Sequence, residues 1–280
     1  MAVCNVCFRH CDIPEGETGF CGGRVCEEGK VVAGNYGSIT SIALDPIEKK
    51  PLARFCPGSL ILSVGSYGCN LRCPFCQNNS ISWSEHAMRL ADHAEYIDPA
   101  TLADIAASYQ NRGNIGVAFT YNEPLIGYEF VRDTAKLVHA RGMKNVMVTN
   151  GTAELDVLEE LLPYIDAMNI DLKAFTDRFY SELIGGNRSQ VLDFIKKASS
   201  GCHVELTTLI IPGENDSIEE MKELTAWVAA LPKGEDIPLH VSRFFPQFHM
   251  TDRAATDVAH IYRLADIARE KLNYVYTGNC

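Results

Sequence analysis

The sequence lacks several features that are typical of membrane, secreted and repeat proteins. None of its apolar stretches reaches about 18 uncharged residues, the length that a membrane-spanning helix needs. The chain begins Met-Ala-Val-Cys-Asn, without the basic stretch and apolar run of a secretory signal. It contains no internal repeat and no low-complexity tract. We therefore expect a globular, cytoplasmic protein that does not contact a membrane.

Positive charge is also scarce. The 25 Lys and Arg residues are outnumbered by 36 Asp and Glu residues, which gives a formal net charge of −11. A broad basic face, the usual basis of nucleic-acid binding, is not available, so we expect no nucleic-acid partner. The 280 residues are 46% hydrophobic, which is enough to bury a sizeable core in one large domain or two smaller ones.

Cysteine, by contrast, is abundant, with 11 residues. In a reducing compartment such thiols serve as metal ligands or reactive groups rather than as disulfides. Seven of them fall into two groups at short spacings, and this clustering indicates metal chemistry. The groups are Cys4, Cys7, Cys11 and Cys21, with Cys26 just after, and Cys69, Cys73 and Cys76.

The pattern of the chain changes near residue 58. Residues 1–58 are rich in cysteine and glycine and show few helical periods, which predicts a cysteine-rich N-terminal segment. Over residues 59–280, continuous apolar runs alternate with helical periods in about six β/α units, which predicts an α/β domain with a parallel sheet. The predicted strands cover 60–64, 115–120, 144–149, 165–172, 203–211 and 238–242. Whether the sheet closes as a barrel or stays open, ligands are expected at the carboxyl ends of its strands.

The three-cysteine group directly follows the first predicted strand. Cys69, Cys73 and Cys76 have the spacing Cys-x3-Cys-x2-Cys, and each thiolate can bind a different iron of a cubane cluster. The fourth iron then has no ligand from this loop and can bind a small molecule through nitrogen and oxygen. The alternative interpretations are three buried thiols, or zinc with a fourth ligand from elsewhere.

This loop, with Phe75 before its last cysteine, resembles that of the radical S-adenosylmethionine (SAM) superfamily. The surrounding sequence is similar to the activating-enzyme branch, related to pyruvate formate-lyase activating enzyme, and within it to the radical SAM member of the AmmeMemoRadiSam system. The matching stretches include 45–52, 68–70, 75–78, 121–124, 171–173 and 242–246. The resemblance covers nearly the whole chain.

The resemblance implies a fold, two cofactors and a reaction. The fold is a partial (β/α)6 TIM-type barrel with the cysteine-rich segment in front. Cys69, Cys73 and Cys76 hold a 4Fe–4S cluster beside Phe75, and the cluster cleaves SAM reductively to a 5′-deoxyadenosyl radical. The electron comes from a low-potential donor such as flavodoxin or ferredoxin. The protein binds and orients the reactants and excludes water, while the cofactors carry the chemistry. No side chain is therefore predicted to act as a catalytic acid or base.

Polar residues after two of the strands are the first candidates to contact SAM. Asn122 and Glu123 follow the second strand, and by resemblance Glu123 stands at the acid position that accepts the methionine ammonium. Asp171 and Lys173 are two residues apart and face the same side of a strand. A carboxylate there can accept ribose hydroxyls, and a lysine can meet the SAM carboxylate. The alternatives are a helix-capping turn at Asn122 and an internal Asp171–Lys173 ion pair.

Two further positions are weaker candidates. Asn150 ends the third strand and either contacts SAM or forms a turn with Gly151. Relatives carry an arginine near the position of Thr207 that binds the SAM carboxylate, and this chain has none there. Arg243, at the end of the sixth strand, is the candidate replacement, with a surface salt bridge as the alternative.

The N-terminal cysteines suggest a second metal site. Cys4, Cys7, Cys11 and Cys21 supply four thiolates, which suit tetrahedral zinc or a second iron–sulfur cluster. A short segment with little core of its own gains stability from such a metal. The alternative is a set of reduced thiols packed against the barrel.

The substrate is the least determined part of the hypothesis. Similarity to activating enzymes favours a protein substrate. The predicted fold favours it too, because a six-unit barrel leaves a wide lateral opening through which a partner's loop can reach the radical. The alternatives are radical modification of a small molecule and, from a different class, a non-catalytic iron–sulfur or zinc-binding protein.

Overall fold

The computed structural model describes residues 1–91 and 93–280, and its centre is one eight-stranded sheet. The strands follow one another in space in the same order as in sequence, and β2 to β8 run parallel while β1 runs antiparallel to β2. They are β1 (Ser41–Pro46), β2 (Leu60–Gly65), β3 (Asn114–Phe119), β4 (Lys144–Thr149), β5 (Ala167–Asp171), β6 (His203–Ile210), β7 (Leu239–Arg243) and β8 (Val275–Gly278). This sequential order is that of a β/α barrel rather than a doubly wound sheet, and β1 and β8 are its two edges.

Helices connect the parallel strands. Two short ones, α1 (Asn79–Ser82) and α2 (Glu85–Ala91), follow β2. The others are α3 (Pro99–Ser108), α4 (Tyr128–Ala140), α5 (Leu155–Leu161), α6 (Arg188–Ala198), α7 (Ile218–Ala229) and α8 (Val258–Arg269). Short 3-10 helices cover Ile47–Lys49, Gln110–Arg112, Pro124–Gly127, Leu162–Tyr164 and Gly234–Asp236, and Phe179–Leu183 forms a π-helix.

The predicted fold class is confirmed. All six predicted strands are present, and each is followed by one of the helices α3–α8, so the six β/α units are present as well. The differences are two strands that the sequence pattern did not suggest: β1, which pairs antiparallel with β2, and β8, a seventh parallel strand that pairs with β7.

Local signals in the sequence account for where two of these helices begin. Asp98 caps α3 by accepting hydrogen bonds from the backbone N–H groups of Ala100 (2.9 Å) and Thr101 (3.1 Å). Ser217 caps α7 by accepting from Glu220 N at 3.1 Å. Ser217 and Glu220 have the spacing of a capping box, but only half of it forms, because the Glu220 carboxylate instead accepts from the backbone N–H of Phe175 at 2.6 Å.

The first 40 residues form small two-stranded sheets packed against the barrel. Ala2–Val3 pairs with Asp12–Ile13, Arg24–Glu27 pairs with Lys30–Ala33, and Ser38–Ile39 pairs with Glu95–Tyr96. Their buried side chains, such as Ile13 and Cys26, join the main hydrophobic core. These pieces therefore have little core of their own and depend on the barrel for burial.

Residues 47–55, which we call the plug, fill the amino-terminal end of the barrel. Ile47 and Leu52 are fully buried against the strand residues Ile61, Ala118, Val146 and Ala167. The backbone N–H groups of Ala53 and Arg54 donate to the Glu205 carboxylate at 2.9 and 2.7 Å. The boundary at residue 58 stays a prediction, but β1 and the plug, which precede it, are built into the barrel.

None of the helices in the described part of the chain combines the length and apolar character needed to cross a bilayer.

Candidate active site

A cleft of about 740 Å³ lies at the carboxyl ends of the strands. The plug borders it on one side, and Thr277, Gly278 and Asn279 at the end of β8 border it on another. Nine of the ten residues predicted for the site line this one cleft. They are Cys69, Cys73, Phe75, Cys76, Asn122, Glu123, Asn150, Asp171 and Lys173.

The three cysteines of the loop after β2 face the cleft in a shielded setting. The Cys69 sulfur accepts from Leu71 N at 3.4 Å and from the Asn150 amide at 3.8 Å. Burial raises the pKa of Cys69 well above its ordinary value and that of Cys73 to about 12. Such thiols become thiolates when a metal ion takes the place of the proton.

The cluster loop is held by the N-terminal segment. The backbone N–H of Cys69 donates to the carbonyl of Cys21 at 3.0 Å. Arg9 Nε donates to the carbonyl of Asn70 at 2.8 Å, and Arg72 donates to the carbonyls of Cys69 (2.7 Å) and Phe20. The position of the three thiols therefore depends on residues far away in sequence.

Asn122 and Glu123 lie in the cleft wall and also hold it together. The Asn122 side chain accepts from Ser66 N at 3.0 Å and donates to the carbonyl of Tyr67 at 3.0 Å. The Glu123 carboxylate accepts from Thr149 Oγ1 at 2.6 Å and from Asn150 N at 2.8 Å. Burial raises the pKa of Glu123 to about 7. The helix-capping alternative at Asn122 is wrong, because the short helix Pro124–Gly127 is capped by Glu123, which accepts from Leu125 N at 3.1 Å. A ligand role at this wall is compatible with these contacts.

Asp171 and Lys173 form the ion pair that their spacing suggested, with Lys173 Nζ 2.6 Å from Asp171 Oδ2. Burial lowers the pKa of Lys173, but the neighbouring Asp171 outweighs burial and the net pKa lies above the ordinary value. The pair is accessible from the cleft, with side chains 17% and 32% exposed for Lys173 and Asp171. It can therefore present both a cation and a carboxylate to a ligand.

Arg243 is the predicted site residue that does not line the cleft. Its Nε donates to the carbonyl of Thr256 at 2.7 Å, and its guanidinium lies 4.6 Å from the centre of the Phe245 ring. Ser242, the preceding residue of β7, lines the cleft, and successive side chains of a strand point to opposite faces, so Arg243 lies outside the cleft near the loop before α8. The geometry gives no support to a SAM contact for this residue.

Sequence reasoning missed several side chains of the cleft. Lys50 in the plug is buried and donates to Asp45 at 2.9 Å, and the Tyr121 hydroxyl donates to the same carboxylate at 2.8 Å. On the opposite wall, His240 stacks on Tyr276 with ring centres 5.3 Å apart. The run Asp45–Leu52 matches a family motif, but nothing in its local pattern indicates that it enters the barrel.

The chemistry of the donor set fits an iron–sulfur cluster. Three thiols on one loop line one cleft, and N–H donors face the Cys69 sulfur. Within residues 1–91 and 93–280, no three Cys, His, Asp or Glu side chains are gathered as ligands of a single metal ion. A cubane cluster does not require this, because each thiolate binds a different iron.

Fold and site together define an open β/α barrel enzyme with a three-thiolate loop at the mouth of a polar cofactor cleft. The model of the radical SAM superfamily matches residues 63–225, and this chain belongs to that superfamily. Membership implies a 4Fe–4S cluster and SAM as its cofactors.

Relatives refine the placement within the superfamily. The chain is 39% identical to the uncharacterized protein MJ0808 of Methanocaldococcus jannaschii over 280 residues, covering 99% of this chain and 80% of the relative. It is 26% identical to pyruvate formate-lyase 1-activating enzyme of Escherichia coli K12, covering 62% of this chain and 71% of that enzyme. The protein therefore belongs to the pyruvate formate-lyase activating enzyme-like branch. The finer likeness to the AmmeMemoRadiSam member stays a prediction.

Solved structures agree on the fold. The structure of Streptococcus suis SuiB bound to S-adenosylmethionine superimposes with a TM-score of 0.59 at 16% identity, covering 79% of this chain and 52% of that one. At this identity the likeness concerns the fold alone.

Proposed function

We propose that this radical SAM enzyme acts on a protein substrate, in the manner of an activating enzyme. When the cluster and SAM are bound, radical SAM chemistry supplies one-electron cleavage of SAM to methionine and a 5′-deoxyadenosyl radical, which abstracts hydrogen from the substrate. The relationship to an activating enzyme supports this proposal. The shape of the cleft is the observation that carries it.

The proposal assigns separate tasks to the residues of the cleft. Cys69, Cys73 and Cys76 hold the cluster, and Phe75 shields it. A second set binds SAM opposite the cluster. It comprises Asn122, Glu123, Asn150, Asp171 and Lys173.

Within that second set, the charge of each side chain determines which group of SAM it binds. The Glu123 carboxylate attracts the SAM ammonium. Lys173 attracts the SAM carboxylate, and Asp171 accepts from the ribose hydroxyls. The side chains act by positioning and by excluding water, because the cofactors supply the reactive atoms.

The cleft extends from the plug to the β8 edge of the sheet. Lys49 and Lys50 after β1 line it on one side, and Thr277 and Asn279 of the β8 end line it on the other. Because β1 and β8 occupy opposite ends of the strand order, the barrel is open between them. An extended peptide can enter through such an opening and pair with a free strand edge. A complete eight-unit barrel would instead enclose a pocket.

A cationic and aromatic surface beside the cluster loop supports electron delivery by a partner protein. The guanidinium groups of Arg9 and Arg72 lie 3.6 and 4.0 Å from the centre of the Phe20 ring, which is 42% exposed. An acidic flavodoxin or ferredoxin is suited to such a surface. Its rate of cluster reduction should then fall steeply with ionic strength, while reduction by dithionite should change little.

The radical SAM chemistry is tested by product analysis. Anaerobic, reconstituted enzyme with dithionite and SAM should form 5′-deoxyadenosine, and Cys73→Ala should abolish it. Cys202→Ala is the matched control, because this thiol is also partly buried but lies outside the cleft, where it donates to the Ala198 carbonyl. Unchanged product from Cys73→Ala would contradict the assignment.

The substrate class is tested with lysate separated by ultrafiltration. We expect the macromolecular fraction to stimulate deoxyadenosine release and protease treatment to remove the stimulation. Deuterium from the labelled macromolecular fraction should appear in the deoxyadenosine. If only the small-molecule filtrate stimulates release, a metabolite is the substrate and the protein proposal is wrong.

A further inference from the structure

The four N-terminal cysteines surround one small internal cavity. Cys4, Cys7 and Cys21 are buried and Cys11 is partly buried. All four line a cavity of about 10 Å³. The hairpin that carries three of them, Cys4, Cys7 and Cys11, is closed by a hydrogen bond from Cys4 N to Cys11 O at 2.9 Å. The fold therefore brings four thiols together although they lie on separate turns.

Backbone donors already face two of these sulfur atoms. The N–H groups of Gly23 and Arg24 are directed at Cys21, and the N–H of Arg9 and the Asn70 side chain are directed at Cys7. Donors placed two and three residues after a cysteine stabilise a thiolate more than a neutral thiol, which is a weak acceptor. Burial is the larger influence and favours the protonated thiols, so these donors act on the sulfur atoms once a metal ion replaces the protons.

A second, independent observation comes from Arg24, which lines the same cavity and is only 4% exposed. Its terminal nitrogens are occupied by the Glu129 carboxylate (2.7 Å) and by the carbonyls of Ile126 and Val31 (both 3.3 Å). Its Nε is buried and has no hydrogen-bond partner. A buried N–H without an acceptor is costly, and an anionic group in the cavity would satisfy it.

We infer that Cys4, Cys7, Cys11 and Cys21 bind one thiophilic metal ion, zinc by its chemistry, at a site separate from the SAM cluster. Four thiols release four protons to solvent and bind Zn²⁺, which leaves a centre of net charge −2 and involves no oxidation. The cavity has room for about one water-sized sphere, which suits one ion. In the described part of the chain the thiols stand wider apart than the ligands of a bound ion, so binding would pull them inward.

The site would also hold the cluster loop in place. Cys21 accepts from the backbone N–H of Cys69, and Arg9, beside the four thiols, binds the carbonyl of Asn70. A metal that fixes Cys21 therefore fixes the start of the loop that carries the SAM cluster.

Metal analysis of full-length protein tests the inference independently of SAM cleavage. A Cys69/Cys73/Cys76 triple-alanine variant, purified anaerobically, should retain about one zinc per chain with sulfur ligands at about 2.3 Å in X-ray absorption. Adding Cys7→Ser or Cys21→Ser should remove the zinc. Cys26→Ser is the matched control, because Cys26 is fully buried in the same segment but contacts Glu15 at 3.5 Å and should leave zinc bound.

Three outcomes would overturn the inference. They are about four irons with matching sulfide in the triple variant, zinc that depends on Cys26 but not on Cys21, or no metal after incubation with zinc. If the serine variants do not fold, thiol titration of the triple variant tests whether the four N-terminal thiols bind a metal. The four thiols should be protected until a chelator is added, and immediate reaction of all four in folded protein would contradict the site.

Discussion

Lys173 Nζ lies 2.6 Å from Asp171 Oδ2 at the end of β5, and both side chains face the cofactor cleft. The pair could stabilise the folded protein or bind SAM. A pair that stays partly exposed contributes little to stability, whereas the same charges can contact SAM directly.

Asp171→Asn should therefore separate the two roles. We expect SAM affinity to fall roughly tenfold, about 1.4 kcal/mol, while unfolding free energy changes by less than about 1 kcal/mol. Equilibrium binding and thermal unfolding measure the two effects. Asp166→Asn is the control: Asp166 pairs with Lys144 at 2.8 Å near the start of β5, and its loss should lower stability without affecting SAM. A large stability loss with normal SAM binding in Asp171→Asn would favour a structural ion pair.

Glu123 should make SAM binding depend on pH. Burial raises its pKa to about 7, so the carboxyl is protonated below that value and is an anion above it. If the anion attracts the SAM ammonium, affinity should weaken by about tenfold from about one pH unit above this pKa to about one unit below it. Titration calorimetry across this range measures the effect. Glu123→Gln should bind more weakly and show a flat profile; an unchanged profile would exclude Glu123 as the titrating group.

The strands and the cluster loop were predictable because their signals are local. Apolar runs such as Leu60–Gly65 mark buried parallel strands, and the cysteine spacing identifies the loop. The last strand was missed because Val275–Gly278 has only four residues and one fully apolar side chain next to polar ones. Its pairing with β7, rather than its own pattern, makes it a strand.

The placement of the plug and the orientation of the Arg243 side chain could not be predicted, because both depend on contacts between residues that are distant in sequence. Asp45–Leu52 reads as a polar, proline-containing linker, but Glu205, about 150 residues later, accepts from the backbone of Ala53 and Arg54. The position of Arg243 at a strand end also did not determine whether its side chain points into the cleft. In the structure the side chain donates to the carbonyl of Thr256. No periodicity or spacing reports either contact.

Glu205 should be a principal anchor of the plug. Burial raises its pKa, but hydrogen bonds from His203, His240 and the plug backbone outweigh burial and lower the pKa to about 2 from an ordinary value of 4.5. Because the folded pKa is the lower one, this stabilisation is fully present above about pH 4.5 and is lost as pH falls toward 2.

Glu205→Gln should thus lower the free energy of unfolding by about 3 kcal/mol at neutral pH and flatten its dependence on acid. Urea unfolding at several pH values measures both effects. Glu159→Gln, which removes an exposed pair with Lys197, should cost less than about 1 kcal/mol. Equal losses in the two variants would show that the plug is not anchored through Glu205.

Gly68 should be intolerant of a side chain because the cluster loop passes close to the N-terminal segment there. Its φ is +92°, and an added Cβ would lie 2.6 Å from Ile126 Cδ1 and 2.8 Å from the Cys21 carbonyl oxygen. That carbonyl accepts from the Cys69 N–H, so Gly68→Ala should push the loop away from Cys21 and disturb the first cluster ligand.

We expect Gly68→Ala to lose most of its reconstituted iron and its deoxyadenosine formation. Gly213→Ala separates this effect from backbone strain, since Gly213 also has a positive φ of +78° but has no atom within 4 Å of an added Cβ. The control should lose about 1–2 kcal/mol of stability and keep its iron. Iron and sulfide analysis, with the visible absorption of the cluster, measures loading. Full loading in Gly68→Ala would mean that the contact with Cys21 does not position the loop, and similar loss in both variants would point to backbone strain alone.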